Sequence, residues 1–291
     1  MLLLDIVLPG LVLGGMYALI ALGLTLQYGV ARIMNLSYGE SLVAAAFGAL
    51  SLYGGLGLSP LMALLLAVPC AMLLNWLLYR FLLERLMRRS KDRGAQEIDS
   101  ILVTFGVLFA IQGVMLIAFG GQYYSYSYLS IPVVVFGSTL AVNRLVALLF
   151  AAVIGIAVYW ALTRTRIGTA VRAIAVDSNA ARLVGIDVPA MSGYAFAFGG
   201  GLVAVGGVLV SMFLTFNASM GVVFTMKALV VVIMGGVGNV MGALVAGLLL
   251  GIVETAVARL VDPGLTLAAT YTLFLGVLLI RPTGLFGRAA S

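Results

Sequence analysis

Three stretches of this 291-residue chain hold residues that could do chemistry within an otherwise apolar sequence. The first is NLSYGE, Asn35–Glu40. Ser37 and Glu40 have the S-x-x-E spacing of a capping box, which would satisfy the first free N–H groups of a following helix. The same stretch also reads as a break in a helix. There Asn35, Ser37, Tyr38 and Glu40 would leave polar and backbone groups free to meet a solute, as interrupted helices do in transporters. The second stretch is MGGVGNVMG, Met234–Gly242, just after Lys227; five of its nine residues break or weaken a helix. Gly235, Gly236, Gly238 and Asn239 read either as a tight turn between packed helices or as a second break matching the first. No internal repeat emerges to relate the two. The third stretch is the polar segment Thr163–Pro189. Outside these, Gln27, Asn75, Gln112 and Asn217 read as hydrogen bonders between helices. Glu254 is the most expensive of the isolated polar residues to bury, which makes it a further pathway candidate.

What the sequence lacks narrows the chemistry. There is no His, and the one Cys, Cys70, lies in an apolar run. The commonest general base and the commonest metal ligand are therefore missing. No segment pairs two acids, so an intramembrane enzyme lacks its parts. GGVGN does not extend to GxxxxGK[ST] and is not a phosphate loop.

The elements that position these residues must be membrane helices. The chain is 63% hydrophobic and 9% charged, whereas a soluble domain carries about 25% charged residues. In lipid only helices or closed barrels satisfy the backbone, and the apolar runs are continuous rather than alternating, so the fold class is all-α and polytopic. Apolar segments cover about 6–29, 37–53, 60–83, 98–119, 144–162, 191–213, 242–261 and 265–280. The run 225–238 is too short for the roughly 20 residues a crossing needs and suits a half-helix or re-entrant piece. Eight to nine membrane segments are expected in a single domain, 1–291. The N-terminal stretch lacks a basic n-region and a cleavage site, and it reads as a first membrane helix.

Net charge is +6. Basic residues at the cytoplasmic ends of helices explain it better than nucleic acid does. Six Lys and Arg fall between Arg80 and Arg93 and four between Arg164 and Arg182, of sixteen in all. Both loops should be cytoplasmic, with Arg281 and Arg288 placing the C-terminus on the same side. The connection 120–142 then faces outward, where Tyr123, Tyr124, Tyr126 and Tyr128 suit an interfacial belt.

The segment 163–189 is too patterned for a turn. Gly168 and Gly185, with Pro189 beyond, bracket a helix over 169–184. On a wheel, Arg172, Ser178, Asn179 and Arg182 share one face and Ala173, Ile174, Ala180, Ala181 and Val184 the opposite one, with Asp177 among the apolar residues. A surface-lying membrane helix wants larger anchors. A small-residue face suits a protein groove, where Asp177 could pair with a cation.

At these residues the sequence resembles a known family. LGGMYALIALGLTLQYGVARIMNLSYGE, RIGTAVRAIAVDSNAARLVGIDV, VVVIMGGVGNVMGALVAGLLLGIVE and the final RPTGLFG look like the LivH-type permeases of branched-chain amino acid ABC importers, over about 11–287. The family commonly has His where this chain has Tyr38. The resemblance implies an inner-membrane permease of a bacterial importer for branched-chain or other amino acids; the family also serves urea, short amides and aromatic acids. It implies a second, LivM-like permease chain and a periplasmic solute-binding protein. It also implies two cytoplasmic ATPase subunits that would use ATP and Mg and dock on 163–189 through Arg172, Ala173, Asp177, Ala180, Leu183 and Gly185. No cofactor is expected on this chain. A secondary transporter or channel, with Glu40 and Glu254 carrying protons or cations, is the alternative, but it needs no docking helix.

Overall fold

Short polar residues set where the helices begin. The Ser59 hydroxyl accepts from the Met62 N–H, Thr165 from Gly168, Asp187 from Ala190 and Asn239 from Gly242, each satisfying a free first-turn donor. Pro60 sits at the first position of its helix, where a missing N–H costs nothing. The computed structural model describes residues 2–89, 93–135 and 137–287. Lys91 and Arg288, which entered the charge count, lie outside the described residues.

The order is α1 (Leu2–Ala31), α2 (Tyr38–Leu56), α3 (Pro60–Leu78) running through a π-helical turn (Tyr79–Leu83) into α4 (Glu84–Arg89), and α5 (Arg93–Phe119). Next come β1 (Pro132–Val135) and β2 (Ser138–Ala141), then α6 (Val142–Arg164), α7 (Arg166–Val176), α8 (Ser178–Leu183), α9 (Val188–Ser211), α10 (Gly221–Gly235) and α11 (Val240–Leu260). A 3-10 turn (Pro263–Leu265) leads into α12 (Thr266–Ile280). The fold is helical as expected, with one addition: β1 and β2 form an antiparallel hairpin with Val133 opposite Leu140.

Among the described residues, seven helices are long and apolar enough to cross a membrane, so the expected eight to nine are not confirmed. The two membrane elements that fall short are α2 and α10. The α2 helix opens on the polar Tyr38-Gly39-Glu40-Ser41. At 15 residues, α10 reaches only about 22 Å against a core of about 30 Å.

The α1 helix is the spine, with α6, α9, α10 and α11 packed around it. Its seam with α11 is antiparallel and lined by glycine. A Cβ on Gly14 would stand 2.7 Å from Leu248 Cα, and one on Gly247 2.6 Å from Ala18 Cα. In lipid no hydrophobic force holds helices together, so this backbone approach supplies the attraction through dispersion. Gly14→Val or Gly247→Val should each cost about 1–3 kcal/mol by overpacking. Gly113→Ala, in open space on α5, should leave stability unchanged or slightly raised. Thermal denaturation of the detergent-solubilised protein checks both.

Candidate functional site

The two short helices begin in the same way. Asn35 Oδ1 accepts from the Ser37 N–H at 3.1 Å and from Ser37 Oγ at 2.7 Å. Asn217 Oδ1 accepts from the Ser219 N–H at 3.2 Å and from Ser219 Oγ at 3.1 Å. The sequences are Asn-Leu-Ser-Tyr-Gly and Asn-Ala-Ser-Met-Gly, and each glycine lies in the first turn that follows. The two glycines meet. A Cβ on Gly39 would overlap the Gly221 carbonyl oxygen, and the Gly39 N–H donates to Thr225 Oγ1 at 2.8 Å. Thr225 Oγ1 also lies 3.3 Å from the Leu36 carbonyl oxygen. The N-termini of α2 and α10 therefore abut inside the bundle. The Asn-x-Ser-x-Gly repeat is the internal match that the sequence did not yield, and it sits at the start of α10 rather than at Met234–Gly242.

The expected capping box does not form. Ser37 stands at the N-cap of α2 without a side-chain cap bond, because its hydroxyl is turned back to Asn35. Asn35 Nδ2 donates to Gln27 Oε1 at 3.0 Å, and Gln27 Nε2 donates to the Phe196 carbonyl at 3.2 Å. The fully buried Tyr38 hydroxyl lies 2.9 Å from the Ile20 carbonyl and 3.2 Å from that of Gly199; glycine at 23 leaves room for the hydroxyl. Glu40 is also fully buried. Its carboxylate lies over Gly221, where a Cβ would collide with it. Among the described residues neither carboxylate oxygen has a hydrogen-bond partner.

The structure does not bring Gly235, Gly236, Gly238 and Asn239 to this place. Gly235 packs against Gly242, and Gly236, at φ 102°, against Gly284 and Gly287. Asn239 caps α11 and donates through Nδ2 to the Phe286 carbonyl at 2.9 Å. The stretch is a tight turn at the opposite end of α10 from Glu40. Its glycines are needed because two backbones pass without room for side chains.

Glu254 lies in a separate buried network that the sequence showed only in part. Lys227 Nζ stands 2.9 Å from Glu254 Oε1 and donates to the Tyr17 hydroxyl at 2.6 Å. Tyr17 donates to Glu254 Oε2 at 2.7 Å, and Thr270 Oγ1 to Oε1 at 2.5 Å. Four helices, α1, α10, α11 and α12, are tied at one carboxylate. Lys227 and Tyr17 went unrecognised as partners; the signal was a lone Lys inside an apolar segment, which demands a counter-ion.

The segment 163–189 is two helices, not one. Asp177, at φ −147° and ψ 107°, interrupts it and caps α8 by accepting from the Asn179 and Ala180 N–H groups at 2.8 and 3.2 Å. The expected position of Asp177 on an apolar face is corrected accordingly, and the expected alanine-rich docking face is redistributed. Ile174 and Ala181 are buried against Val30, Val188 and Ala195. Exposed instead are Val176 (79%), Leu183 (89%) and Val184 (75%), together with Arg172 and Ala180, while Ala173 is half-buried. Gly185, at φ 84°, ends α8's turn. Arg32, left-handed at φ 56°, donates through Nη2 to the Ala175 carbonyl at 2.9 Å. It thus fastens the end of α1 to α7. A cavity of about 500 Å³ beneath this junction is lined by Arg32, Glu97, Asp177, Arg182 and Ser192 among others.

The opposite end is closed by aromatic rings. Phe47 of α2 stacks on Phe119 with centroids 4.2 Å apart and meets Tyr124 and Phe216 edge-on. Tyr124 and Phe216 also exchange backbone hydrogen bonds of 2.8 and 3.0 Å. Tyr126 stacks on Tyr53 and shares a hydrogen bond with Ser211; burial raises its hydroxyl pKa, keeping it neutral. Tyr124, Tyr126 and Tyr128 pack on the core, so only Tyr123, 71% exposed, fits the expected interfacial belt.

Seven apolar helices, with α2 and α10 meeting at their N-termini within the bundle, define a multi-pass membrane protein of the transporter type. A family model described as the branched-chain amino acid transport system/permease component matches residues 6–281. The chain belongs to that family, and it is a transport subunit rather than an enzyme. It is 30% identical to the high-affinity branched-chain amino acid transport system permease protein BraD of Pseudomonas aeruginosa, covering 96% of this chain and 94% of that one. It is 26% identical to the corresponding LivH protein of Escherichia coli K12, with the same coverage. A solved structure of PsaBC from Streptococcus pneumoniae with Fab matches at TM-score 0.49 and 11% identity, over 96% of this chain and 92% of that one.

Removing one partner of a buried ion pair strands the other charge at about 3–5 kcal/mol. Lys227→Met alone should therefore lower the denaturation midpoint sharply, while Lys227→Met combined with Glu254→Gln should recover most of the loss. A thermal double-mutant cycle on purified protein reads the difference.

Proposed function

We propose that this chain forms one half of the pathway of an inner-membrane ABC importer for branched-chain or related amino acids. A second, LivM-like permease forms the other half, a periplasmic binding protein delivers the solute, and two cytoplasmic ATPases supply the work with ATP and Mg. Family membership and the names of the relatives support the cargo and the partners.

The observation that carries the coupling role is the exposed Val176, Leu183 and Val184 on α7–α8. These three, with Ile167 of α7 (69% exposed), stand on a charged segment beyond the ends of the spans, where water is the solvent and exposed apolar side chains mark a partner. The segment lies at the same end as Arg281, and the positive-inside rule makes that end cytoplasmic. Since α1 ends there, its start lies outside. Asp177 serves this surface by fixing the angle between the two short helices, and Arg172 rims it.

Leu183→Glu should abolish solute-stimulated ATPase activity and reduce ATPase co-purification at least tenfold, with membrane insertion intact. Asp177→Arg should uncouple hydrolysis from uptake by removing the α8 cap. Wild-type uptake and stimulated hydrolysis in both variants would sink the assignment.

A further inference from the structure

Glu40 is the one fully buried carboxylate in the described residues that accepts nothing. The contrast with Glu254, which takes hydrogen bonds from Lys227, Tyr17 and Thr270, shows how this chain treats a buried acid that serves packing. An ionised carboxylate has about four acceptor sites. Stripping it of water costs several kcal/mol. The N-terminus of α10 beneath it returns at most about 2 kcal/mol through the helix dipole. No side chain caps that N-terminus, and among the described residues no N–H of α10 reaches either oxygen. A compact group with several N–H donors and a positive charge matches two such oxygens.

Both helices carry exposed positions near this place. Glu40 itself is covered, but Ala44, one turn further along the same face of α2, is exposed, as is Val223 in the first turn of α10. Ser41, next to Glu40 in the chain, is half-buried and receives a hydrogen bond from Asn75 of α3. Uncovering the carboxylate toward this surface requires α2 and α10 to part where the Gly39 N–H meets Thr225 Oγ1.

We propose that Glu40 receives the ammonium group of the transported solute during passage, at the junction of the two half-helix N-termini. This rests on the importer reading above and adds to it a chemical requirement: the cargo carries a primary ammonium.

The test uses the assembled importer in proteoliposomes, with tritiated L-leucine delivered by its binding protein. Glu40→Gln should assemble to wild-type yield and lose uptake at least tenfold, while Glu40→Asp retains part of it. In the wild type, 3-methylbutan-1-amine, which keeps the ammonium, should inhibit uptake, and 4-methylpentanoate, which keeps only the carboxylate, should not. Gly221→Ala, whose methyl displaces the carboxylate, should raise the amine concentration needed for inhibition at least tenfold; this variant decides the matter if Glu40→Gln does not assemble. Uptake by Glu40→Gln within twofold of wild type overturns the proposal alone. So does equal inhibition by the two analogues, or unchanged amine inhibition in Gly221→Ala. A wild-type importer that takes up no amino acid overturns the importer reading and this proposal together.

Discussion

A helix that stops inside a membrane leaves backbone donors and acceptors that lipid cannot satisfy. This chain meets that constraint twice, and much of its interior is arranged to do so. Asn35 and Asn217 each fold back to hold the residues that enter a half-helix, and Thr225 answers across the gap to Gly39 and Leu36. Gln27 steadies Asn35 from α1. The surrounding glycines then make sense together. They mark where a backbone or a polar side chain must come closer than a Cβ allows. The seam between α1 and α11 serves the same end at a distance, since a site built from two loose helix ends needs a spine that does not yield.

The two buried acids divide the work. Glu254 is saturated by donors from three other helices and acts as a fastening, holding α10 by Lys227 two turns below its N-terminus. Glu40 has the same chemistry and the opposite circumstances. The two acids differ in hydrogen-bond count, not in residue type, on helices packed around the same spine.

The membrane class, the shortness of α10 and the presence of a polar segment between spans were legible in the sequence, because composition and run length report solvent directly. Three things were not. The Asn217 loop looks like ordinary polar sequence, and its kinship to Asn35 rests on three identical residues spread over five, too few to stand out without coordinates. Met234–Gly242 drew attention by its glycines, but glycine marks any close backbone approach, and a turn uses it as readily as a site does. The wheel for 169–184 assumed a continuous helix. Asp177 prefers to cap, and the break it makes rotates Leu183 and Val184 outward. The tyrosines misled for a similar reason, since aromatic residues near a membrane surface serve a belt or a plug equally well, and only packing separates the two.

Arg32 carries a consequence for how force travels. From the guanidinium clasp on Ala175 to Asn35 there are only three peptide steps, a span of at most about 11 Å when extended. A displacement of α7 therefore need not pass through any rigid helix to reach the mouth of α2. It is delivered along a short tether whose first link is a left-handed arginine, a conformation that a bulky residue leaves readily. Such coupling would resemble a latch on a short cord more than a seesaw pivoting in the bilayer, with the handle and the bolt on the same few residues of chain.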